Sequence, residues 1–137
     1  MGATDHKTIV NRILDAFSIG DIAFLEEIVA PDYIQHGAEV PPTRESFFVF
    51  ANMFHRSFPD GRYQVNDMIG EGDKVMIRWT FQGTHLGEWM GRPPTGKQVT
   101  LTGIDLWRFA EGKFIESWFI GHPGDIWSNQ APNGKRS

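Results

Sequence analysis

The stretch Val99-Thr100-Leu101-Thr102-Gly103-Ile104-Asp105-Leu106-Trp107-Arg108-Phe109-Ala110-Glu111-Gly112-Lys113-Phe114-Ile115-Glu116-Ser117-Trp118-Phe119-Ile120 reads as two strands around a tight turn. Large apolar residues alternate on both sides of Glu111-Gly112, a dipeptide suited to a hairpin tip. Symmetric antiparallel pairing about that tip sets Asp105 opposite Trp118 and Trp107 opposite Glu116. Alternation then gathers Leu101, Asp105, Trp107, Phe109, Phe114, Glu116, Trp118 and His122 on one face. Thr100, Thr102, Ile104, Leu106, Arg108, Ile115, Ser117 and Phe119 take the other. Two carboxylates and an imidazole therefore share a face with two tryptophans and two phenylalanines.

Working outward, Tyr63 to Ile69 and Val75 to Gln82 form another strand pair across Gly70-Glu71-Gly72-Asp73, with Val75, Ile77, Trp79 and Phe81 alternating. A long polar loop, Gly83 to Lys97, separates the two pairs and suggests a lid. The N-terminal half is helical. Ile9, Ile13 and Phe17 recur at four-residue steps beside Val10 and Leu14, after a Thr4/Asp5 start and before Gly20. Asp21 caps a shorter helix through Ile22, Leu25, Ile28 and Val29, stopped near Pro31. A third begins at Thr43 and presents Phe47, Phe50, Ala51 and Phe54 on one face until Phe58-Pro59-Asp60-Gly61 breaks it. Pro31-Asp32-Tyr33-Ile34-Gln35-His36 reads as a loop at a pocket mouth.

Helices followed by an antiparallel sheet predict one α+β domain over residues 1–122, with an irregular tail over 123–137. A twisted sheet curling over three helices makes a cone too wide for side chains to fill throughout, which leaves an apolar pocket.

Composition narrows the function. The 137 residues fit one domain, and a 40% hydrophobic content supports a core. With no cysteine, disulfides, thiolate metal sites and cysteine nucleophiles are excluded. The start Met1-Gly2-Ala3-Thr4-Asp5-His6-Lys7 lacks a signal-peptide pattern and no segment is long and apolar enough to span a bilayer, so a cytoplasmic protein is expected. A net charge of −4 without a basic stripe argues against nucleic acid. The five histidines (6, 36, 55, 85, 122) lack metal-ligand spacing, and no nucleotide or phosphate loop or nucleophile elbow occurs. Eleven Phe and five Trp are many for so short a chain; large rings mostly build cores, as the Phe face of the third helix suggests, but they also line ligand cavities.

A carboxylate among such rings loses hydration, which raises its pKa towards the range useful for proton transfer. Asp105 is the first candidate and Glu116 the second; the structural alternative for each is a satisfied carboxylate, with hydrogen bonds from backbone or Trp indole groups on Asp105 and an arginine on Glu116. Arg78 interrupts an apolar strand and can neutralise a carboxylate or an enolate, or face solvent. His36 and Tyr33 sit at the expected pocket mouth, His85 and Trp89 in the expected lid.

Arg78-Trp79-Thr80, Gly83-Thr84-His85, Gly87-Glu88, Gly91, Pro93-Pro94-Thr95-Gly96-Lys97, Gly103-Ile104-Asp105-Leu106, Arg108, Glu111-Gly112-Lys113 and Glu116-Ser117-Trp118, in this order and spacing, resemble the SnoaL-like polyketide cyclases. Pro31 to His36 and Phe58-Pro59-Asp60 fit the same pattern. The resemblance implies a nuclear-transport-factor-2-like cone: three N-terminal helices on a curved, mixed but mostly antiparallel sheet. It also implies a homodimer or higher homo-oligomer packed through sheet faces, and no metal or organic cofactor. Characterised members close a ring of an aromatic polyketide ester by intramolecular aldol condensation, with a carboxylate as acid/base. Asp105 matches the acid of the family's glycine-x-aspartate stretch, and Glu116 and Trp118 match its final strand. Members often carry an acid just past that strand, where this chain has His122.

The resulting expectation is an acid/base enzyme of the cyclase, isomerase or lyase kind acting on a small hydrophobic or carbonyl-containing molecule. Asp105 abstracts a proton α to a carbonyl, and Arg78 or His36 stabilises the oxyanion. Trp79, Trp107, Trp118 and Phe54 shape the cavity. The rivals are a hydrolase or dehydratase that activates water with Asp105 and Glu116, and a binding protein without chemistry.

Overall fold

The structure, a computed structural model, describes residues 3–37 and 41–120, with side chains from His6 onward. Three helices, α1 (Ala3–Ile19), α2 (Ile22–Ile28) and α3 (Arg44–Ser57), accompany five strands: β1 (Val29–His36), β2 (Arg62–Glu71), β3 (Lys74–Thr84), β4 (Gln98–Ala110) and β5 (Lys113–Ile120). The strands form one open sheet in the order β1-β5-β4-β3-β2. Only the β1–β5 pair is parallel. This is the expected α+β architecture, helices over one face of a mixed, mostly antiparallel sheet.

Local chemistry sets the helix ends. The Asp21 carboxylate accepts from the Phe24 N–H at 3.2 Å, and Thr43 Oγ1 accepts from the Ser46 N–H at 3.2 Å. Each satisfies a donor that a helix start leaves open. The apolar stripe of α1 buries Val10, Ile13, Leu14 and Phe17, and α3 buries Phe47, Ala51 and Phe54.

Two expectations are corrected. Residues Pro31 to His36 belong to a strand, not a loop: β1 lies along β5 at the sheet edge, with Tyr33 inward and Ile34 outward. Pro31 is tolerated there because the ladder is irregular between Val29 and Ile34 and an edge strand has no outer partner to lose. The second correction concerns the last hairpin. Its tip is as read, with Glu111 and Gly112 both at positive φ (51° and 77°) in a mirror-image turn. Phe109 pairs with Phe114, but Arg108 pairs with Glu116, so Ile115 is an extra residue. Beyond this bulge Asp105 lies opposite Phe119 and Trp107 opposite Ser117. A one-residue bulge exchanges the faces of everything that follows it.

The core is a cluster of rings between the helices and the inner sheet face. Phe54 meets Phe17, Phe50, Phe58, Tyr63, Phe81 and Trp89 with ring centroids 4.5–6.3 Å apart. Phe54 is thus the keystone of the core rather than a cavity wall. Phe54→Ala is expected to lower unfolding free energy in urea by about 3–5 kcal/mol. Val49→Ala, on the exposed face of the same helix, should change it by less than about 0.5 kcal/mol.

Candidate active site

Strand alternation brings Val75, Ile77, Trp79 and Phe81 of β3 and Leu101, Gly103, Asp105, Trp107 and Phe109 of β4 to the inner face. Asp105 is the carboxylate among them. Both of its oxygens accept indole hydrogen bonds: Trp79 Nε1–H donates to Oδ1 at 3.0 Å and Trp107 Nε1–H to Oδ2 at 2.9 Å. Protein surrounds the group closely, yet part of its surface stays accessible, as do Tyr63 and Phe119 beside it. The inner face is therefore not fully closed to solvent at Asp105.

Burial pushes the Asp105 carboxyl up to about 6, and the indole donors from Trp107 and Trp79 pull in the opposite direction without cancelling it. Two phenols share its field. Burial raises the Tyr63 and Tyr33 hydroxyls well above their ordinary value, and the Asp105 charge raises them further. Tyr33 is committed within the protein: its hydroxyl shares a 2.7 Å hydrogen bond with Ser117 Oγ and lies 3.1 Å from Gln35 Oε1. The Tyr63 hydroxyl has no such partner among the described residues. Its ring stands edge-on to Trp79 at 5.2 Å.

The other proposed acid/base groups lie elsewhere. Because of the bulge at Ile115, Glu116 and Trp118 emerge on the outer face with Arg108, Leu106 and His36. There Arg108 Nη2 contacts Glu116 Oε1 at 2.7 Å and His36 Nε2 contacts Oε2 at 2.8 Å. The His36 ring stacks on Trp118 at 5.0 Å. The Arg108 guanidinium first, and His36 second, hold Glu116 below the usual carboxylate range. Arg78 also points outward, where Nη2 pairs with Asp67 Oδ2 at 2.6 Å in the open. Glu116, His36, Arg78 and Trp118 are thus across the sheet from Asp105.

The loop after β3 is anchored. The His85 side chain is fully buried, and its Nδ1 accepts from the Thr95 N–H at 3.2 Å. Burial holds its pKa below the ordinary value. The Leu86 and Gly87 N–H groups donate to the Ser57 carbonyl at the end of α3. Trp89 and Arg92 close a tight turn and Trp89 buries its ring against Phe50, Phe54 and Phe58. His85 and Trp89 thus brace the loop instead of lining an open lid. His122 lies outside the described residues, as does the tail expected over 123–137. Among the described residues no three His, Asp or Glu side chains group closely enough to hold a metal ion. No described helix is long and apolar enough to cross a membrane.

Sequence reasoning passed over Tyr63 and Ser117. The period of two in β2 already sets Tyr63 inward with Val65, so the signal for Tyr63 was present. Ser117 needed the bulge.

Comparison with known proteins places this geometry in context. A sequence model described as SnoaL-like polyketide cyclase matches residues 7–123. The chain is 27% identical over 108 residues to the aklanonic acid methyl ester cyclase AcmA of Streptomyces galilaeus, covering 76% of this chain and 75% of that protein. Among solved structures, IdmH of Streptomyces antibioticus, a candidate polyketide cyclase, is 32% identical with a TM-score of 0.74, over 91% of this chain and 96% of IdmH. AclR of Streptomyces galilaeus, a candidate hydroxylase, is 25% identical with a TM-score of 0.78, over 86% and 89% of the two chains. With the family pattern running from α1 to the end of the sheet, and the same fold in these relatives, the chain belongs to the SnoaL-like polyketide cyclase family.

Proposed function

We propose that the protein is an acid/base enzyme that enolises a carbonyl compound of the polyketide-ester kind and closes a ring by intramolecular aldol addition, without a cofactor. The observation that supports this is Asp105 on its two indole donors: a single carboxylate, desolvated but partly accessible, with its pKa pushed up to about 6. Such a group is mostly ionised at neutral pH yet basic enough to take a proton flanked by carbonyls.

In this reading the Asp105 carboxylate removes the α-proton and the C–H electron pair becomes the enolate. Tyr63, neutral and without an internal acceptor among the described residues, donates to the enolate oxygen. This role replaces the one expected of Arg78 or His36. The enolate carbon then attacks a second carbonyl of the same molecule. The new alkoxide recovers the proton from Asp105, so the net change is one C–C bond and no consumed reagent. AcmA is named as a cyclase of a methyl ester of this type, which makes aklanonic acid methyl ester the first probe. A hydrolase or dehydratase using two carboxylates finds no support, because Glu116 is engaged on the outer face.

With that ester and simpler aromatic 1,3-dicarbonyl esters, Asp105→Asn should lower kcat by about 10²–10⁴-fold and abolish deuterium uptake at the α-carbon from heavy water. Glu116→Gln and Arg78→Ala should leave exchange within about twofold, being across the sheet. Binding of the ester with no exchange even in the wild type would replace the enzyme by a binding protein. The wild-type rate should rise through a midpoint near 6 and level off above it, a limb absent from Asp105→Asn.

Stability should run the opposite way. The native midpoint lies above the ordinary 3.8, so the folded state binds the proton more tightly than the unfolded chain. The contribution is complete below the ordinary value and lost as pH climbs through 6. Urea unfolding from pH 3.5 to 7.5 should show wild type losing about 3 kcal/mol relative to Asp105→Asn.

A further inference from the structure

Gly103 sits in the middle of β4, where a glycine weakens a strand and calls for a reason. Its backbone offers none, since its φ lies outside the positive region that favours glycine. The reason is its neighbour across the ladder. Gly103 pairs directly with Trp79, and a Cβ built on Gly103 would lie 2.4 Å from Trp79 Cζ2, 2.9 Å from Cε2 and 3.0 Å from Cη2. Cε2 is the carbon bonded to Nε1, the donor that meets Asp105 Oδ1 at 3.0 Å. The indole has little freedom to yield, because Tyr63 stands edge-on to it at 5.2 Å and Phe119 lies parallel to it at 6.2 Å.

We infer that Gly103 is a positioning residue: its missing side chain lets the Trp79 indole lie across β4 and deliver its N–H to Asp105. The spacing Gly103-x-Asp105 is then a mechanical unit, with two residues of one strand serving the same ring from the next. Trp107, the second donor, depends on neither. Its ring is seated on Phe114 at 4.5 Å, and it reaches Asp105 along its own strand. Removing the space at Gly103 therefore strips one oxygen of its donor and leaves the other in place. The titratable groups that share the field of Asp105 are the neutral Tyr63 of β2 and Tyr33 of β1. From α1, His6 stacks on Phe109, four residues further along β4.

The inference rests on the reading of Asp105 as the proton acceptor, but its test needs no substrate. Full-length protein labelled at the aspartate carboxyl carbon is titrated by NMR, with Asp105→Asn for assignment. Gly103→Ala and Trp79→Phe should each raise the Asp105 midpoint by about one pH unit, the effect of one donor lost from a charged acceptor. The Trp79 indole N–H resonance should follow the Asp105 titration in wild type and cease to follow it in Gly103→Ala. The double variant should titrate like Trp79→Phe alone and regain thermal stability lost in Gly103→Ala, since phenylalanine lacks the atoms that a Cβ would strike. A folded Gly103→Ala with the wild-type midpoint overturns the inference, and so does an effect that persists undiminished in the Trp79→Phe background. If Gly103→Ala does not fold, a folded double variant with the Trp79→Phe midpoint upholds the inference, and a double variant that also fails to fold overturns it. Should the midpoints move as expected while Asp105→Asn keeps its turnover, the catalytic reading falls and the positioning role stands.

Discussion

An ionisable carboxylate is held inside an aromatic interior, and that constraint organises the rest of the molecule. Desolvating a carboxylate costs several kcal/mol, whereas a hydrogen bond to a charged group returns about 1.5–3 kcal/mol. Trp79 and Trp107 supply one each, at 3.0 and 2.9 Å. Two such bonds recover most of the penalty and not all of it, so the group settles near 6 rather than below 4 or far above 7. Indoles suit this task better than a guanidinium. They donate without bringing a charge that would drive the acid below the range in which it exchanges protons.

Keeping other charges away matters as much as supplying donors. A second carboxylate on the inner face would repel the first and push its pKa upward. The bulge at Ile115 prevents this. One extra residue turns Glu116 to the far side of the sheet, where Arg108 and His36 satisfy it, and brings Ser117 inward to bond Tyr33. Arg78 is likewise kept outside by strand alternation and paired with Asp67. The surroundings of Asp105 are left with one acid and neutral phenols, which is what the proposed proton transfer requires.

Much of this was legible in the sequence, and the gaps have physical causes. The three helices, the hairpin tip at Glu111-Gly112 and the inward row of Trp79, Asp105, Trp107 and Phe109 follow from periodicity and turn chemistry, which are local. The placement of Glu116, Trp118 and His36 did not follow, because a bulge is decided by contacts between strands. Phe109 and Phe114 pack ring to ring at 5.5 Å beside the turn, while Arg108 and Glu116 seek each other two positions on. β1 is hidden from a local reading because Pro31 looks like a breaker, although at a sheet edge its missing N–H costs little. His85 has the sequence position of a loop histidine and the structural role of a brace, since a buried imidazole can replace a backbone partner for Thr95.

The aromatic interior therefore serves two ends that pull against each other. Rings packed around Phe54 stabilise the fold, and the same desolvation keeps Asp105 basic at a cost of about 3 kcal/mol of folding free energy once it is ionised. For a domain whose whole stability is about 5–15 kcal/mol, that is a substantial charge to hold. The rings beside the acid are themselves held by rings: Tyr63 meets Trp79 and Phe81, and Trp79 meets Phe119. The same constraint also locates chemical diversity within the family. A candidate polyketide cyclase and a candidate hydroxylase share this scaffold, so the scaffold does not select the reaction. The difference has to come from the few polar groups that the inner sheet face admits, and here, among the described residues, these include one carboxylate with its two indole donors, the paired Tyr33 and Ser117 hydroxyls and the uncommitted Tyr63 phenol.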